Sequence, residues 1–221
     1  MRISLIGPKW NEMINSYPPL GLGYLAGIAE QDGHEVRIHD FGLYPSQPIE
    51  QDAQQVIDFK PDVIALTSMT TSYHYVEQLV ARLKDALGAP VIIGGPHATS
   101  LPEGTLANPH IDYLVYGEGE FIFQDFLRAW ESGDHRWDQI QGLWYKEDGQ
   151  IIPGGSRKPI EDLDALPYPS RHLFDLGKYP LYAPNGEPML TILSSRGCPY
   201  NCSFCFKGIV GRSYHQRSPE N

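Results

Sequence analysis

The cysteines are the residues of this sequence that point most directly to chemistry, because all three fall in the stretch SRGCPYNCSFCFKG. Cys198, Cys202 and Cys205 are separated by three and then by two residues. A short loop with this spacing can fold three thiolates around one face of an iron–sulfur cube and leave the fourth iron without a protein ligand. An iron with open positions can chelate a small molecule through amine and carboxylate groups. The spacing therefore predicts a cluster loop with one iron site left open.

Two other uses of these cysteines compete with the cluster. Zinc could take the same thiolates with His215 as a fourth ligand, although closed zinc sites normally show paired Cys-x2-Cys knuckles. A disulfide between Cys198 and Cys202 would leave one thiol over, which does not suit a cytoplasmic chain. An odd number of clustered cysteines does not make the disulfide framework of a secreted domain. We therefore expect an iron–sulfur loop in a cytoplasmic protein.

Composition and charge limit what the chain does. It has 221 residues and a formal net charge of −10, which argues against a nucleic-acid surface. No apolar run approaches the roughly 18 residues of a membrane span, and the first residues enter a strand pattern without a signal peptide. Residues 218–220, Ser-Pro-Glu, favour the start of a helix where the sequence ends. We therefore expect a fragment of a longer protein.

The residues before the cysteine loop alternate between short apolar runs and longer amphipathic ones. The apolar runs are nearly continuous in Val, Ile and Leu, as in a parallel sheet that is covered on both faces. Strands are predicted at residues 2–7, 36–40, 62–68, 90–95 and 112–117, and helices at 20–33, 49–59, 72–88 and 118–133. Strand and helix in series imply right-handed crossovers. The pattern predicts an α/β fold, a Rossmann-like doubly wound sheet of five parallel strands.

The pattern changes after residue 137. Residues 142–155 indicate a hairpin with an Asp-Gly turn, and a stretch punctuated by prolines indicates an ordered linker. A further strand at 189–195 then delivers the chain to the cysteine loop. We expect three parts: a sheet domain at 1–137, a hairpin and Pro-rich linker at 138–188, and the truncated start of another domain at 189–221.

Ligands of an open parallel sheet bind beyond the carboxyl ends of its strands, near the point where the strand order reverses. At those ends the sequence places short hydroxyl side chains and glycines: Thr67, Ser68, Thr70, Gly94, Gly95, Gly117 and Gly119. They predict a shallow cleft in which a large ligand can approach the backbone. The first strand is not followed by Gly-x-Gly-x-x-Gly, and no P-loop is present, so neither of those phosphate sites is expected. Gly21 and Gly23 are better explained by close helix packing.

Three further side chains near this cleft have ordinary alternatives to a binding role. His97 either caps a loop or helix start or contacts the ligand. Glu118 and Glu120 are expected to cap the last helix, where acids complement the helix dipole. A ligand contact is the minority interpretation for both.

The segments PPLGLGYLAG, TSMT, GGPH and YGEGE, in this order before the cysteine loop, resemble the cobalamin-binding subgroup of radical S-adenosylmethionine (SAM) enzymes. The resemblance covers nearly the whole chain. It implies a Rossmann-like domain that holds the corrinoid and its nucleotide tail, and a catalytic (β/α) barrel that begins at Met189. It also implies a [4Fe–4S] cluster whose open iron holds SAM, with Phe204 beside the adenine. The expected cofactors are the cluster, SAM and cobalamin.

The expected site residues divide into cofactor and metal ligands, and no catalytic side chain is assigned. The cofactor-binding residues are Leu20, Gly21, Thr67, Ser68, Thr70, Gly94, Gly95, His97, Gly117, Glu118, Gly119, Glu120 and Phe204. The metal ligands are Cys198, Cys202 and Cys205.

One segment departs from the resembled pattern. Cobalamin domains of the methionine synthase type carry Asp-x-His-x-x-Gly after the first strand, and the histidine ligates cobalt. Here the segment is GPKWNEMINSYPP, without histidine. Trp10, Asn11 and Tyr17 are candidates for the lower face of the corrinoid by location alone. A cobalt without a strong axial donor would favour the low-coordinate reduced state; alternatively, the domain has kept the fold and lost the cofactor.

Two functions from different classes follow. The first is an enzyme that cleaves SAM reductively for radical methyl transfer or oxidative cyclisation of a small molecule, with flavodoxin or ferredoxin as electron donor. This truncated chain is expected to bind cofactors better than it turns over. The second is a non-catalytic corrinoid-binding module with a vestigial or zinc-binding loop. A third, tRNA methylthiotransferase-like chemistry, shares the cysteine loop but lacks support from the N-terminal domain and the acidic charge.

Overall fold

The computed structural model describes residues 1–10, 14–180, 182–183, 185–187, 189–205, 208, 211 and 213–220. Its main strands and helices follow the predicted order, with two short helices between residues 96 and 106 and a strand at 214–216 that the sequence did not predict. They are β1 (Arg2–Gly7), α1 (Leu20–Gln31), β2 (Glu35–Asp40), α2 (Ile49–Phe59), β3 (Val63–Thr67), α3 (Tyr73–Leu87), β4 (Val91–Gly94), α4 (Pro96–Ser100), α5 (Pro102–Leu106), β5 (Tyr113–Val115), α6 (Glu120–Ser132), β6 (Leu143–Glu147), β7 (Gln150–Ile152), β8 (Ser195–Gly197) and β9 (Tyr214–Gln216).

Strands β1 to β5, with the helices between them, form a doubly wound sheet. Strands β1 to β5 are mutually parallel in the spatial order β2-β1-β3-β4-β5. The chain first moves outward from β1 to β2 and then continues on the other side of β1 with β3. The strand order therefore reverses between β1 and β3, which is where such folds bind ligands. The predicted α/β class and the five parallel strands are confirmed.

The core lies on both faces of the sheet, because alternate side chains of each strand point to opposite sides. Ile3, Leu5 and Ile92 pack on the face covered by α1 and α6. Ile64 and Ile93 pack on the face covered by α2 and α3. All five side chains are at most 2% exposed. Burial on both faces explains why these strands have continuous apolar runs instead of alternating ones.

The hairpin β6–β7 extends the same sheet. β6 pairs antiparallel with β5, and β7 pairs with β6, so that the sheet has seven strands. Asp148 and Gly149 form the turn with φ of 49° and 77°, the left-handed pair of a type I′ hairpin turn. The predicted turn is confirmed, and the hairpin is an edge of the sheet. The division into parts at 1–137, 138–188 and 189–221 stays a prediction.

The linker after the hairpin packs on α1 at two glycines. A Cβ on Gly23 would lie 2.9 Å from Pro169 Cβ, and one on Gly27 would lie 2.8 Å from the carbonyl oxygen of Tyr168. The amide of Ser170 donates to the carbonyl of Gly23 at 3.0 Å. Gly23 therefore serves close packing, as the sequence predicts, but the same prediction is wrong for Gly21, where a Cβ would meet no heavy atom within 4 Å.

The strand predicted at 189–195 is wrong in its extent. Only Ser195–Gly197 is a strand, and it pairs antiparallel with Tyr214–Gln216. The preceding apolar side chains Met189, Leu190 and Ile192 are 44%, 56% and 78% exposed. A strand needs a neighbour for its backbone hydrogen bonds, and the segment 214–216 reaches only the last residues of the predicted run. Residues 219–220 form a turn.

No helix within the described ranges is both long and apolar enough to cross a bilayer.

A buried histidine in β2 gives the first testable prediction. Burial, followed by the nearby charge of Arg37, lowers the pKa of His39 to about 4 from 6.5. Between these values the unfolded chain binds a proton that the folded chain does not, so stability is lost as the pH falls from 6.5 to about 4. The slope in mid-window is about 1.4 kcal/mol per pH unit.

Urea unfolding of the native chain and of His39→Gln at several pH values measures this slope. Ser4 Oγ lies 3.3 Å from His39 Nε2, and a glutamine amide can keep that hydrogen bond. Other groups also titrate: burial lowers the pKa of His97 and raises that of Asp40. The difference between the two proteins isolates His39, and parallel curves for both would contradict the prediction.

Candidate functional site

A cavity of about 210 Å³ opens at the carboxyl ends of β3, β4 and β5, between the first turns of α1 and α6. Seven of its lining residues are predicted cofactor-binding residues: Gly21, Thr67, Gly94, Gly95, Gly117, Gly119 and Glu120. The strand ends and helix starts bring these residues together although they span a hundred positions of sequence. The cavity lies on the side of the switch point where an open sheet binds its ligand.

The rest of the cavity wall is apolar and was missed from the sequence. It includes Leu22, Leu25, Val115 and Phe123. These residues have the same spacing as ordinary core residues of α1, β5 and α6, and only their position next to the glycines distinguishes them. A mostly apolar wall with a few polar groups is typical of a pocket for an organic ligand.

The glycines set the shape of the cavity in two ways. Gly95 has φ of 93°, and a Cβ there would lie 2.6 Å from Thr67 Oγ1, so a larger residue would be strained and would clash. Gly21 and Gly117 are different, because a Cβ at either would have no heavy atom within 4 Å. The open space beside Gly21 and Gly117 is the space that a ligand would occupy.

Leu20, Ser68, Thr70 and His97 are predicted site residues that do not line the cavity. Leu20 opens α1. The Ser68 hydroxyl donates to the carbonyl of Met69 at 3.1 Å. Thr70 Oγ1 lies 3.2 Å from His97 Nδ1, and the His97 ring stacks on Tyr73 at 3.9 Å between centroids. The His97 side chain caps neither α4 nor α5, so the cap considered for it is not observed, and a ligand contact there stays a prediction.

A second hollow, of about 220 Å³, lies beside the loop that follows β1 and shares Pro19 and Thr67 with the cavity. Trp10, 48% exposed, and Met69, 56% exposed, face it. Met69 was missed from the sequence, since a lone methionine after a strand carries no signal. Tyr17 is exposed and is not among the lining residues. Asn11 lies outside the described residues.

A buried ion pair fixes the loop after β1. Lys9 Nζ lies 2.7 Å from Asp52 Oδ2, and the Asp52 side chain is 0% exposed. Tyr75 donates its hydroxyl to the same carboxylate at 2.7 Å, and Lys9 also donates to the carbonyls of Tyr44 and Gln47. Lys9, the residue before Trp10, is therefore anchored to Asp52 of α2, which also binds Tyr75 of α3.

The prediction that Glu118 and Glu120 cap α6 is wrong. The N-cap is Gly119, and no side chain makes the capping hydrogen bond. Both carboxylates instead contact Arg196, with Nη1 to Glu118 Oε1 at 3.3 Å and Nη2 to Glu120 Oε1 at 2.5 Å. Burial opposes the charge on Arg196, but the two carboxylates outweigh it and raise its pKa. The partner was invisible in the sequence because it lies 76 residues beyond Glu120.

The cysteine loop begins two residues after Arg196. Cys198 is half-buried, and Cys202 and Cys205 are exposed. The amide of Cys205 donates to the carbonyl of Cys202 at 3.2 Å. Phe204 is 91% exposed. Within the described part of the chain, no three His, Cys, Asp or Glu side chains converge closely enough to hold a metal ion, and the roles of these residues stay predictions.

Comparisons with known proteins show the family of this chain and its fold. The family model for the B12 binding domain matches residues 12–127. An uncharacterized methyltransferase, PH0819 of Pyrococcus horikoshii, is 35% identical over 100% of this chain and 48% of its own length. The anaerobic magnesium-protoporphyrin IX monomethyl ester cyclase of Rubrivivax gelatinosus is 28% identical over 100% of this chain and 41% of its own length. The chain thus spans under half of these two relatives.

One solved structure has the same fold over 99% of the chain. It is the cobalamin-dependent S-adenosylmethionine radical enzyme OxsB with aqua-cobalamin and S-adenosylmethionine bound. The TM-score is 0.78 at 21% identity, and the match covers 30% of that chain. The match includes the residues that carry the cysteine loop.

Proposed function

The chain belongs to the B12-binding domain family, and on that premise we propose that it is the cofactor-binding part of a radical SAM enzyme. The proposed reaction is methyl transfer or oxidative cyclisation of a small molecule. The observation that carries this proposal is the three-cysteine loop, which directly follows strand β8. Arg196 of that strand pairs with Glu120 in the cavity wall. The names of the relatives, a methyltransferase and a cyclase, support the same two reactions.

The residues of the cavity fit the nucleotide tail of a corrinoid. Gly21 and Gly117 leave open space, and the apolar wall suits an aromatic base. Trp10 and Met69 would face the corrin ring from the neighbouring hollow. Bound cobalamin supplies a cobalt centre that can carry a methyl group or an electron. The chain's own part is to hold the tail, exclude water around it and fix the ring against the loop after β1.

The donor set of the cysteine loop fits an iron–sulfur cluster. Three thiolates at this spacing are the ligands of a four-iron cluster with one open iron. Such a cluster supplies the electron that cleaves SAM reductively. Cys198, Cys202 and Cys205 would hold it, and Phe204 presents an exposed aromatic face that we assign to the adenine of SAM. The reductant would be a flavodoxin or ferredoxin of the cytoplasm, the compartment that suits clustered thiols.

The experiment that tests this function is anaerobic reconstitution with iron and sulfide. We expect about four irons per chain, because three thiolates suffice to hold one cube. Addition of SAM should perturb the paramagnetic resonance spectrum of the reduced cluster, since SAM would bind the open iron. Cys202→Ala removes one of the three ligands and is expected to lose most of the iron.

Met189→Ala is the matched control, because Met189 is exposed and precedes the cysteine loop, and its thioether is not one of the three proposed ligands. It should keep the iron content of the native chain. A colourless protein that binds zinc in place of iron, or a cluster indifferent to SAM, would overturn the proposal.

A further inference from the structure

Arg196 joins the two cofactor regions of the chain. It is the central residue of β8, two positions before Cys198, and pairs across the strands with His215. Its guanidinium is held by Glu118 and Glu120 at the start of α6, and all three side chains are between 7% and 11% exposed. The contact is therefore a buried cluster of one cation and two anions, and it is unlike the exposed ion pairs elsewhere on the surface.

Glu120, on the acidic side of this cluster, is part of the wall of the proposed cobalamin cavity. Glu120 and Gly119 both line the cavity, and Glu118 Oε2 accepts a hydrogen bond from the amide of Ile160 at 2.6 Å. The first turn of α6 thus contacts the cavity on one side and Arg196 on the other. A ligand that contacts this turn would therefore lie next to the carboxylate of Glu120, which pairs with Arg196.

The basic side of the cluster is joined to the cysteine loop through one residue. Gly197, between Arg196 and Cys198, has φ of 82°. A Cβ there would lie 1.8 Å from the carbonyl oxygen of Ser213 in the segment that leads to β9, so only glycine fits this close approach. Because Gly197 also pairs with Tyr214, we expect a displacement of Arg196 to move the backbone at Cys198.

Separation of the Arg196 guanidinium from the two carboxylates would cost free energy. Without the guanidinium, two buried carboxylates would face each other across Gly119, and a buried charge that loses its partner is strongly destabilising. The carboxylates and the guanidinium must therefore move together. The ring of Tyr24 in α1 also contacts this strand pair. The guanidinium groups of Arg196 and Arg217 lie 5.7 and 5.6 Å from its centroid.

We propose that Arg196 is a positioning residue that couples occupancy of the cobalamin cavity to the conformation of the cysteine loop. The proposal rests on the function proposed above. Each cofactor would strengthen the binding of the other through the Glu118–Arg196–Glu120 cluster. Because such coupling is reciprocal, it can be measured from the cobalamin side alone.

The test is titration of the 221-residue chain with hydroxocobalamin before and after reconstitution of the cluster. The native chain is expected to bind cobalamin at least about 5-fold more tightly once the cluster is present. In Arg196→Gln the ratio of the two dissociation constants should fall to about one. Arg196→Lys keeps the charge but cannot form two parallel hydrogen bonds, so its ratio should lie between these values.

Arg157→Gln is the matched control. Arg157 also reaches α6, where it pairs with Asp125 at 2.7 Å, but this pair is partly exposed and lies away from the cavity. Its ratio should equal that of the native chain. Circular dichroism melts establish that each variant is folded, and the lysine variant carries the test if the glutamine variant is not.

The outcomes separate this inference from the function on which it rests. If the native chain binds neither hydroxocobalamin nor iron, the proposed function fails and the coupling with it. If it binds both but independently, or if Arg196→Gln keeps the native ratio, the coupling is wrong and the proposed function stands.

Discussion

Replacement of Lys9 by methionine is expected to lower the free energy of unfolding by about 3–5 kcal/mol. The change removes the ammonium that lies 2.7 Å from a fully buried Asp52 carboxylate. Methionine fills similar volume, so the loss reports the uncompensated charge more than a cavity. Urea unfolding at neutral pH measures the effect. The loop after β1 should loosen at the same time, because Lys9 also holds the carbonyls of Tyr44 and Gln47.

Two further variants give this prediction its controls. Lys178→Met removes a lysine whose partner, Asp175, is about half exposed, and should cost under about 1 kcal/mol. Asp52→Asn in the Lys9→Met background removes the buried charge but leaves an oxygen that can accept from Tyr75. It should recover a large part of the lost stability. A Lys9→Met variant as stable as Lys178→Met would contradict the role given to the pair.

The second large effect concerns cobalamin. Gly21→Phe is expected to weaken hydroxocobalamin binding at least tenfold, about 1.4 kcal/mol or more, without loss of stability. A Cβ at Gly21 meets no atom within 4 Å, and Gly21 lines the cavity, so we expect the new ring to occupy ligand space without straining the backbone. The exchange also removes a glycine from α1, which favours the helix. Spectroscopic titration and thermal melts of the same samples measure both quantities.

Gly104→Phe is the matched control, because Gly104 is an exposed helical glycine with equally open space around its Cβ position. It should leave cobalamin affinity unchanged. Equal affinity of the Gly21→Phe and native proteins would show that the ligand does not enter this cavity.

Much of the fold is encoded locally and was predictable. The five parallel strands are short runs of Val, Ile and Leu because both faces of the sheet are buried. The Asp148-Gly149 turn needs two positive φ angles, which that dipeptide adopts readily. The docking of the hairpin onto β5 was not predictable, because antiparallel pairing at a sheet edge leaves no mark in either segment alone.

The candidate site was predictable only where a backbone requirement dictates the residue. Gly95 must be glycine because of its positive φ and the nearness of Thr67. The Lys9–Asp52 pair and the Arg196 cluster join residues 43 or more positions apart, and their spacing follows no local period. An acid in the first turn of a helix usually signals a cap. Only the tertiary structure shows that Glu118 and Glu120 face a guanidinium.

We propose that the cavity beside Gly21, Gly94 and Gly117 would hold the nucleotide tail of cobalamin, including its base. Residues 8–19, which follow β1, contain no histidine that could replace the base. Paramagnetic resonance of the chain loaded with cob(II)alamin tests this most directly, because a coordinated nitrogen splits the cobalt lines into triplets. We predict a spectrum without the triplet splitting of the free cofactor. A bound spectrum that keeps those triplets would contradict the account.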